Sequence, residues 1–412
     1  MKKKDKKVKD DFLAQEAKEE QENAAAYTID IPEEEIWTYQ IEGLQAPHIN
    51  QPFKNAAVKK VIVVIVLLIA IGMAMYFSVR AVHSDMYEYK LLEDGTYELV
   101  KFSNPGDITD ILIDYVVDEE TGEKDTSKPI TVIDEFAFNC DEKLNSISFG
   151  KDIKSIDGKS IYSCWWITNV FIDDENPNYC DLDGVIYNKD LTEVVFYPND
   201  HDKYLREKLG YNNLVDDTGA PMEELWGTTE KYDEAFFAEY NKQIRTYVVP
   251  STVTKIGQLA FAYSNITDLY IPEGVKRMES MAVFKNTELR NLYSYTTDSQ
   301  ITDVTYKAVD SMKAVYNSLP DGLEYIGSDC FYYCRNLSYM YLPSSVTYIG
   351  HHAFWDAIYK EDGSLHGITE INSGADEDTF NNNVETGDEW RPKYDYMLFK
   401  KSVNVNYSAE RQ

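Results

Sequence analysis

Apolar and polar positions follow three regimes along the chain. Residues 1–26 are lysine-rich and then glutamate-rich with no sustained apolar face, which predicts a disordered segment. Residues 61–79 (VIVVIVLLIAIGMAMYFSV) are 19 positions without a charge. At about 1.5 Å per residue this run is long enough for a bilayer core, so it is predicted to be one transmembrane helix. No Ala-x-Ala site follows it and 60 residues precede it, which argues against a cleaved signal peptide. Lys54, Lys59 and Lys60 lie just before the run, six more lysines lie between Lys2 and Lys9, and only Arg80 follows closely. That bias predicts a cytoplasmic N-terminus and an extracellular remainder. Beyond Arg80, apolar residues come in short alternating stretches broken by Gly, Pro, Asn and Asp, as in strands joined by turns.

Those stretches are copies of one another. Ile326 to Gly350 (IGSDCFYYCRNLSYMYLPSSVTYIG) and Ile256 to Met278 (IGQLAFAYSNITDLYIPEGVKRM) share one order: a leading apolar residue, Gly, two variable residues, a small residue, a large apolar one, two more, then Cys or Ser. An alternating strand follows. Residues 156–172, 133–149, 278–293 and 349–357 fit the same frame. The leading residues pair as Ile133 and Ile156, Ile256 and Met278, Ile326 and Ile349, separated by 23, 22 and 23 positions. The predicted strands include Tyr339–Leu342, Leu269–Ile271 and Val170–Ile172, and Pro250, Pro272 and Pro343 suit strand ends because proline lacks an amide donor. The small slot (Ser160, Ala260, Ala282, Cys330, Ala353) lets coils approach, and the large slot (Ile161, Phe261, Val283, Phe331, Phe354) fills the interior. Such a unit cannot bury its apolar face alone, so the coils must stack.

This pattern resembles the BspA-type leucine-rich repeats of bacterial and protist surface proteins, over about residues 86–372. A hairpin (Tyr87 to Phe102, turn at Asp94-Gly95) resembles the family's opening unit, and Asn176 to Pro198 resembles its hairpin unit. The expected fold is a leucine-rich-repeat solenoid of short parallel β-strands with tight turns or short helices, behind one transmembrane helix and a disordered cytoplasmic tail. The expected organisation is a tail 1–60, the span 61–79, a repeat array 86–198, a partly helical insertion 199–245, a second array 246–372 interrupted at 294–322 and again at 358–367, and a capping segment 373–412. The resemblance implies a non-enzymatic surface protein and carries no catalytic residues. In the first insertion, Tyr232, Phe236, Phe237, Tyr240 and Ile244 fall at helical spacing after Thr228. Insertions in repeat proteins often form the binding face, so Trp226, Tyr232 and Tyr240 are the candidate ligand contacts.

Charge changes the picture in one respect. The chain carries 40 Lys+Arg against 71 Asp+Glu, a net of -31. Residues 1–60 hold 10 basic and 12 acidic side chains, so residues 80–412 hold 30 and 59. An acidic outer part keeps itself soluble and excludes nucleic acid as a partner. The five cysteines are too few for a disulfide scaffold. Cys164 and Cys334 occupy the repeat cysteine slot and Cys330 the small slot, so packing explains them. His351-His352 near Asp356, and the turn carboxylates at 173–175, 181 and 183, do not make a metal site. No cofactor is indicated. No phosphate loop, nucleophile elbow or zinc spacing is present.

The tail holds a different signal. Ile36, Trp37, Tyr39, Ile41 and Leu44 crowd into nine residues, and Trp37, Tyr39 and Ile41 alternate as on an extended strand. Two readings fit: a short motif that adds to a cytoplasmic protein partner, or a segment lying at the bilayer interface. The leading functional expectation is an extracellular protein- or glycan-binding repeat protein of the adhesion or recognition kind. The alternative is an envelope scaffold or signalling component working through the tail motif.

Overall fold

The computed structural model describes residues 86–411, apart from 105–107, 119–120, 139–142, 162, 212–213, 215–233, 356–357, 360–364, 392 and 397–398. The predicted span 61–79, the tail with Ile36, Trp37, Tyr39 and Ile41, and Cys140, Trp226, Tyr232 and Asp356 lie outside the described residues. Among the described residues no helix is long and apolar enough to cross a membrane.

Each coil crosses two sheets. On one face lie rungs of two residues, Lys255–Ile256, Arg277–Met278, Tyr325–Ile326, Tyr348–Ile349 and Glu385–Thr386, continued by Glu193–Phe196 of the hairpin unit into one eight-stranded sheet. The leading apolar residues pair rung to rung as Ile256↔Met278, Met278↔Ile326 and Ile326↔Ile349, and Ile133↔Ile156 pair the same way near the start of the array. On the other face lie longer strands in three separate sheets. Asp110–Ile113, Ser146–Phe149 and Asn169–Ile172 form the first. Thr246–Val248, Asp268–Pro272 and Asn291–Thr297 run parallel in the second, edged by the antiparallel Met312–Tyr316. Tyr339–Leu342, Glu370–Ser373 and Val405–Asn406 form the third.

The slots between rung and strand behave as their chemistry requires. Ser160, Ala260, Ala282, Cys330 and Ala353 are wholly buried, and Ile161, Phe261, Val283, Phe331 and Phe354 fill the interior beside them. The glycine after the leading residue sets the coil spacing. A Cβ on Gly327 would stand 2.3 Å from the Ser280 nitrogen, and one on Gly350 2.3 Å from the Ser328 nitrogen. Two positions per coil are left-handed without glycine: Leu259, Met281, Asp329 and His352 at the fourth, Tyr263, Lys285 and Tyr333 at the eighth, with φ from 51° to 62°. Each such residue costs on the order of 1 kcal/mol, which burial of its neighbours offsets. The cysteine slot supplies a donor inside the coil stack. The Cys164 thiol donates to the Phe138 carbonyl at 3.0 Å and Cys334 to Val283 at 3.1 Å. Where Ser264 and Asn286 replace cysteine, Ser264 donates to Phe261 and Asn286 to Ser264. Burial pushes the Cys334 thiol up to about 12, so it is a neutral packing group at physiological pH.

The hairpin unit divides the interior. In Val185–Asn188 and Glu193–Phe196, with the adjoining Tyr197, the side chains Val185, Tyr187, Val194 and Tyr197 enter one core, while Ile186, Val195 and Phe196 enter the other. Two expectations about boundaries change. The second insertion does not begin at 294, because Asn291–Thr297 continues the repeat strand through that point. The segment after 373 is less a cover than a further coil: Glu385–Thr386 extends the rung sheet, Gly387 holds the glycine place, and Val405–Asn406 adds a strand.

Candidate binding surface

The first insertion contributes two helices. The first, α1 (His201–Lys208), begins three residues after Pro198 and has no strong apolar period in the sequence. The second, α2 (Glu234–Arg245), matches the helix expected from Phe237, Tyr240 and Ile244 at i, i+3 and i+7. These three side chains and Leu205 form a small core of their own. Tyr240, expected to meet a ligand, is therefore corrected: it is 1% exposed, with its ring 5.2 Å from that of Tyr211. Its apolar ring is needed to close α2 against α1, so it faces inward.

A buried polar seam ties α1 to the array. His201 Nδ1 lies 2.8 Å from the Thr168 carbonyl, which requires the proton on Nδ1, and burial lowers its pKa. Asn265 donates to Asp202 at 3.2 Å and to Asp200 at 3.4 Å, and Arg245 reaches Asp202 at 3.9 Å. Burial holds the Asp200 carboxyl above its usual value, with Lys203 opposing the shift.

The second insertion roofs the strand face. Val248, Tyr270 and Tyr295 point away from the interior, since their neighbours Tyr247, Leu269, Ile271 and Leu292 enter it. They are nevertheless buried, beneath Ile301 and Ala308. The Val248 amide donates to the Val304 carbonyl at 3.1 Å, and the Ser251 amide to Ile301 at 3.0 Å. At these strands the sheet face is therefore covered by the second insertion.

The two insertions meet. The Tyr306 hydroxyl donates to the Glu239 carboxylate of α2, which lowers that carboxyl's pKa. A cavity of about 60 Å³ lies between them, lined by Leu205, Lys208 and Gln243 on one side and by Val304, Thr305 and Tyr306 on the other. Beside the roof runs a tyrosine row in register across three strands, Tyr270↔Tyr293↔Tyr316. The first two rings stack at 4.3 Å and 9°. Exposure rises along the row from 8% at Tyr270 to 52% at Tyr316.

Two other surfaces invite a ligand and are better explained by the fold. Along the turn edge, Phe284, Tyr332 and Trp355 stack with centroids 5.3 and 5.4 Å apart and planes within 15° and 6°. Their faces cover one another, so the row offers edges outward and no platform for a sugar ring. A cleft of about 670 Å³ opens between the hairpin unit and the rungs. Its amides Asn178 and Asn188 are engaged with nearby groups, and Lys255 pairs with Glu193 at 2.9 Å. His352 lies between Asp329 (3.7 Å) and Glu389 (3.4 Å), linking the last coils. Among the described residues no cluster of three or more metal-ligating side chains is present.

The sequence profile of the BspA type Leucine rich repeat region matches six copies over residues 121–199 and 229–361. Among solved structures the chain is similar to the pneumococcal vaccine antigen PcpA, at 16% identity over 71% of this chain and 58% of that one, with a TM-score of 0.37. It is also similar to a leucine-rich repeat protein from Bacteroides ovatus (16% identity, 74% and 66% covered, TM-score 0.30) and to the leucine-rich repeat protein TpLRR of T. pallidum (11%, 65% and 74%, 0.27). No curated protein matches the chain. With the profile covering half of the sequence, and its repeat realised coil by coil in the rungs, slots and strands, this chain belongs to the BspA-type leucine-rich repeat family.

Proposed function

We propose that this is a non-enzymatic recognition protein of the bacterial surface, anchored by residues 61–79 with the repeat array outside the cell. Its partner is a protein or a glycan. One observation carries the reading: two insertions far apart in sequence converge over the strand face and are bonded together by Tyr306 and Glu239. A solenoid does not need this roof to stack its coils. The roof edge presents Tyr316, with Lys313 on the opposite face of the same edge strand, and an exposed tyrosine offers a large rigid contact with a polar tip.

The test displays the full chain on cells and measures capture of wall, glycan and host-surface fractions. Tyr316→Ala with Lys313→Ala is expected to lower capture by about tenfold, as for a binding hot spot. Leu112→Ala, at an exposed site on another strand, is the control and leaves capture unchanged. Unchanged capture by the double variant would remove the roof edge from the binding surface. Protease added to intact cells should cleave the repeat array and leave a membrane-bound stub; a protected array would refute the topology.

A further inference from the structure

The break between the second and third strand sheets contains a site built for a guanidinium. Ser294 pairs in register with Ile271, so a small hydroxyl occupies an interior-facing position where the preceding coil has an apolar side chain. Ser294 is wholly buried and Ser318 is 1% exposed. Glu273 and Asp321 follow Pro272 and Pro320 at the turn edge beside them. Arg411 fills this notch. Its Nε donates to Ser318 at 2.8 Å, its Nη2 donates to Glu273 and Ser294 and reaches the Leu319 carbonyl at 3.5 Å, and its Nη1 pairs with Asp321. Five acceptors converge, and the guanidinium is the one side-chain group with five N–H donors in a fixed plane. An ammonium has three, arranged around a point.

The segment that delivers Arg411 is the edge strand of its sheet. Val405–Asn406 makes a two-residue pairing with Ile371 and Asn372, and Ser408 and Ala409 donate to Ala375 and Ser373 at 2.9 Å. Val403 is buried, Val405 and Tyr407 pack against the core with the Tyr407 ring 5.5 Å from that of Phe380, and Asn404, Asn406, Ser408 and Glu410 are exposed. As an edge strand with a single neighbour, the segment opens at lower free energy than the inner strands.

We infer that the notch formed by Glu273, Ser294, Ser318, Leu319 and Asp321 is an arginine-recognition site which residues 403–411 occupy in cis, and that it takes an extended arginine-bearing peptide of a protein partner when that segment yields. The segment itself shows the chemistry of the occupant: a short strand added beside Glu370–Ser373, ending in an arginine. The site is separate from the roof, so each can fail without the other.

The experiment uses the chain with residues 403–412 deleted and a labelled peptide of residues 403–411 as probe. The deleted chain is expected to bind the peptide, and binding falls about tenfold or more for the peptides carrying Arg411→Ala or Arg411→Lys, because charge-assisted bonds to several acceptors are lost. The intact chain binds it more weakly still, since the cis segment competes. Absence of binding to a deleted chain that melts cooperatively would overturn the inference, as would equal binding of the arginine and alanine peptides. Should the deletion fail to fold, the full-length Arg411→Ala chain is titrated with N-acetyl-arginine amide and followed by NMR. Tighter binding than to the unaltered chain, with shifts at residues 318–321, supports the site, and equal binding to both overturns it.

Discussion

The two faces of the same coils are built to different tolerances. The rung face is one sheet of eight strands from the hairpin unit onward, with a separate pairing of Ile133 and Ile156 before it, whereas the strand face is split into three. On the rung face Gly257, Gly327, Gly350 and Gly387 directly follow their rungs, and a Cβ on any of them would strike neighbouring backbone, which holds those coils in register; Glu279 takes this place after Arg277–Met278. On the strand face the chain enters and leaves through turns, where loop closure grows only slowly more costly with length. The large insertions accordingly rejoin there, at Thr246 and at Ser318, the first having left after Phe196 of the rung sheet and the second after Thr297 of a strand-face sheet. The lesson is that a solenoid is held constant on one face and elaborated on the other.

Four measurements bear on that contrast. The largest effect should come from Phe331, which stacks on Phe354 at 5.3 Å and 6° beneath both faces. Phe331→Ala is expected to lose about 3–5 kcal/mol in denaturant melts, with both faces losing hydrogen-exchange protection together. A loss below about 1 kcal/mol, or one confined to a single face, would break the idea of a shared core. Gly350→Ala should lose about 1–3 kcal/mol by overpacking, because the added carbon meets backbone and not a movable side chain. Its damage should centre on rungs Tyr325–Ile326 and Tyr348–Ile349; damage centred on the roof would contradict the assignment of constraint to the rungs. Tyr306→Phe removes one bond between the insertions, a smaller loss than either of the core changes. Faster exchange is expected in α2 and in residues 301–311, with the rungs unchanged.

The smallest effect is a pH dependence. Burial places the native pKa of His201 below its ordinary value, so the unfolded state takes up the proton first. Stability from this group is complete above its unfolded pKa of about 6.5 and is lost as pH falls from there toward the native value. Asp200, raised by burial, acts in the reverse sense nearer the carboxylate range. Exchange at 201–208, taken relative to the intrinsic amide rate at each pH, should therefore rise as pH falls from 7 to 5, and His201→Gln should flatten that rise while the rungs stay level in both. A rise of equal size at the rungs would place the proton-sensitive group elsewhere.

Much of the array was legible because its contacts recur. The strand at Tyr339–Leu342, the opening hairpin and the pairing of Ile326 with Ile349 all appear where the period put them. The coil closing the array was not, because Glu385–Thr386 carries no apolar residue to mark it as a rung. Helix α1 was not, because HDKYLREK buries His201, Asp202 and Arg206 as well as Leu205. Its inward side is polar and gives no hydrophobic period. Tyr240 was read as a contact for a partner because its own helix could not reveal α1 on the other side.

The sequence by itself determined the coil: the spacing of 22 or 23 residues, the Gly that sets the approach, and the small and large slots that fill the interior. Those interactions run between neighbouring coils, so one repeated pattern encodes all of them. Only the tertiary structure decided that the insertions roof the strand face and that its break takes an arginine. Tyr306 meets Glu239 across 67 positions and Arg411 meets Glu273 across 138. Such single, long-range contacts leave no period in the chain, because each is made once, by groups that only the closed fold brings within reach.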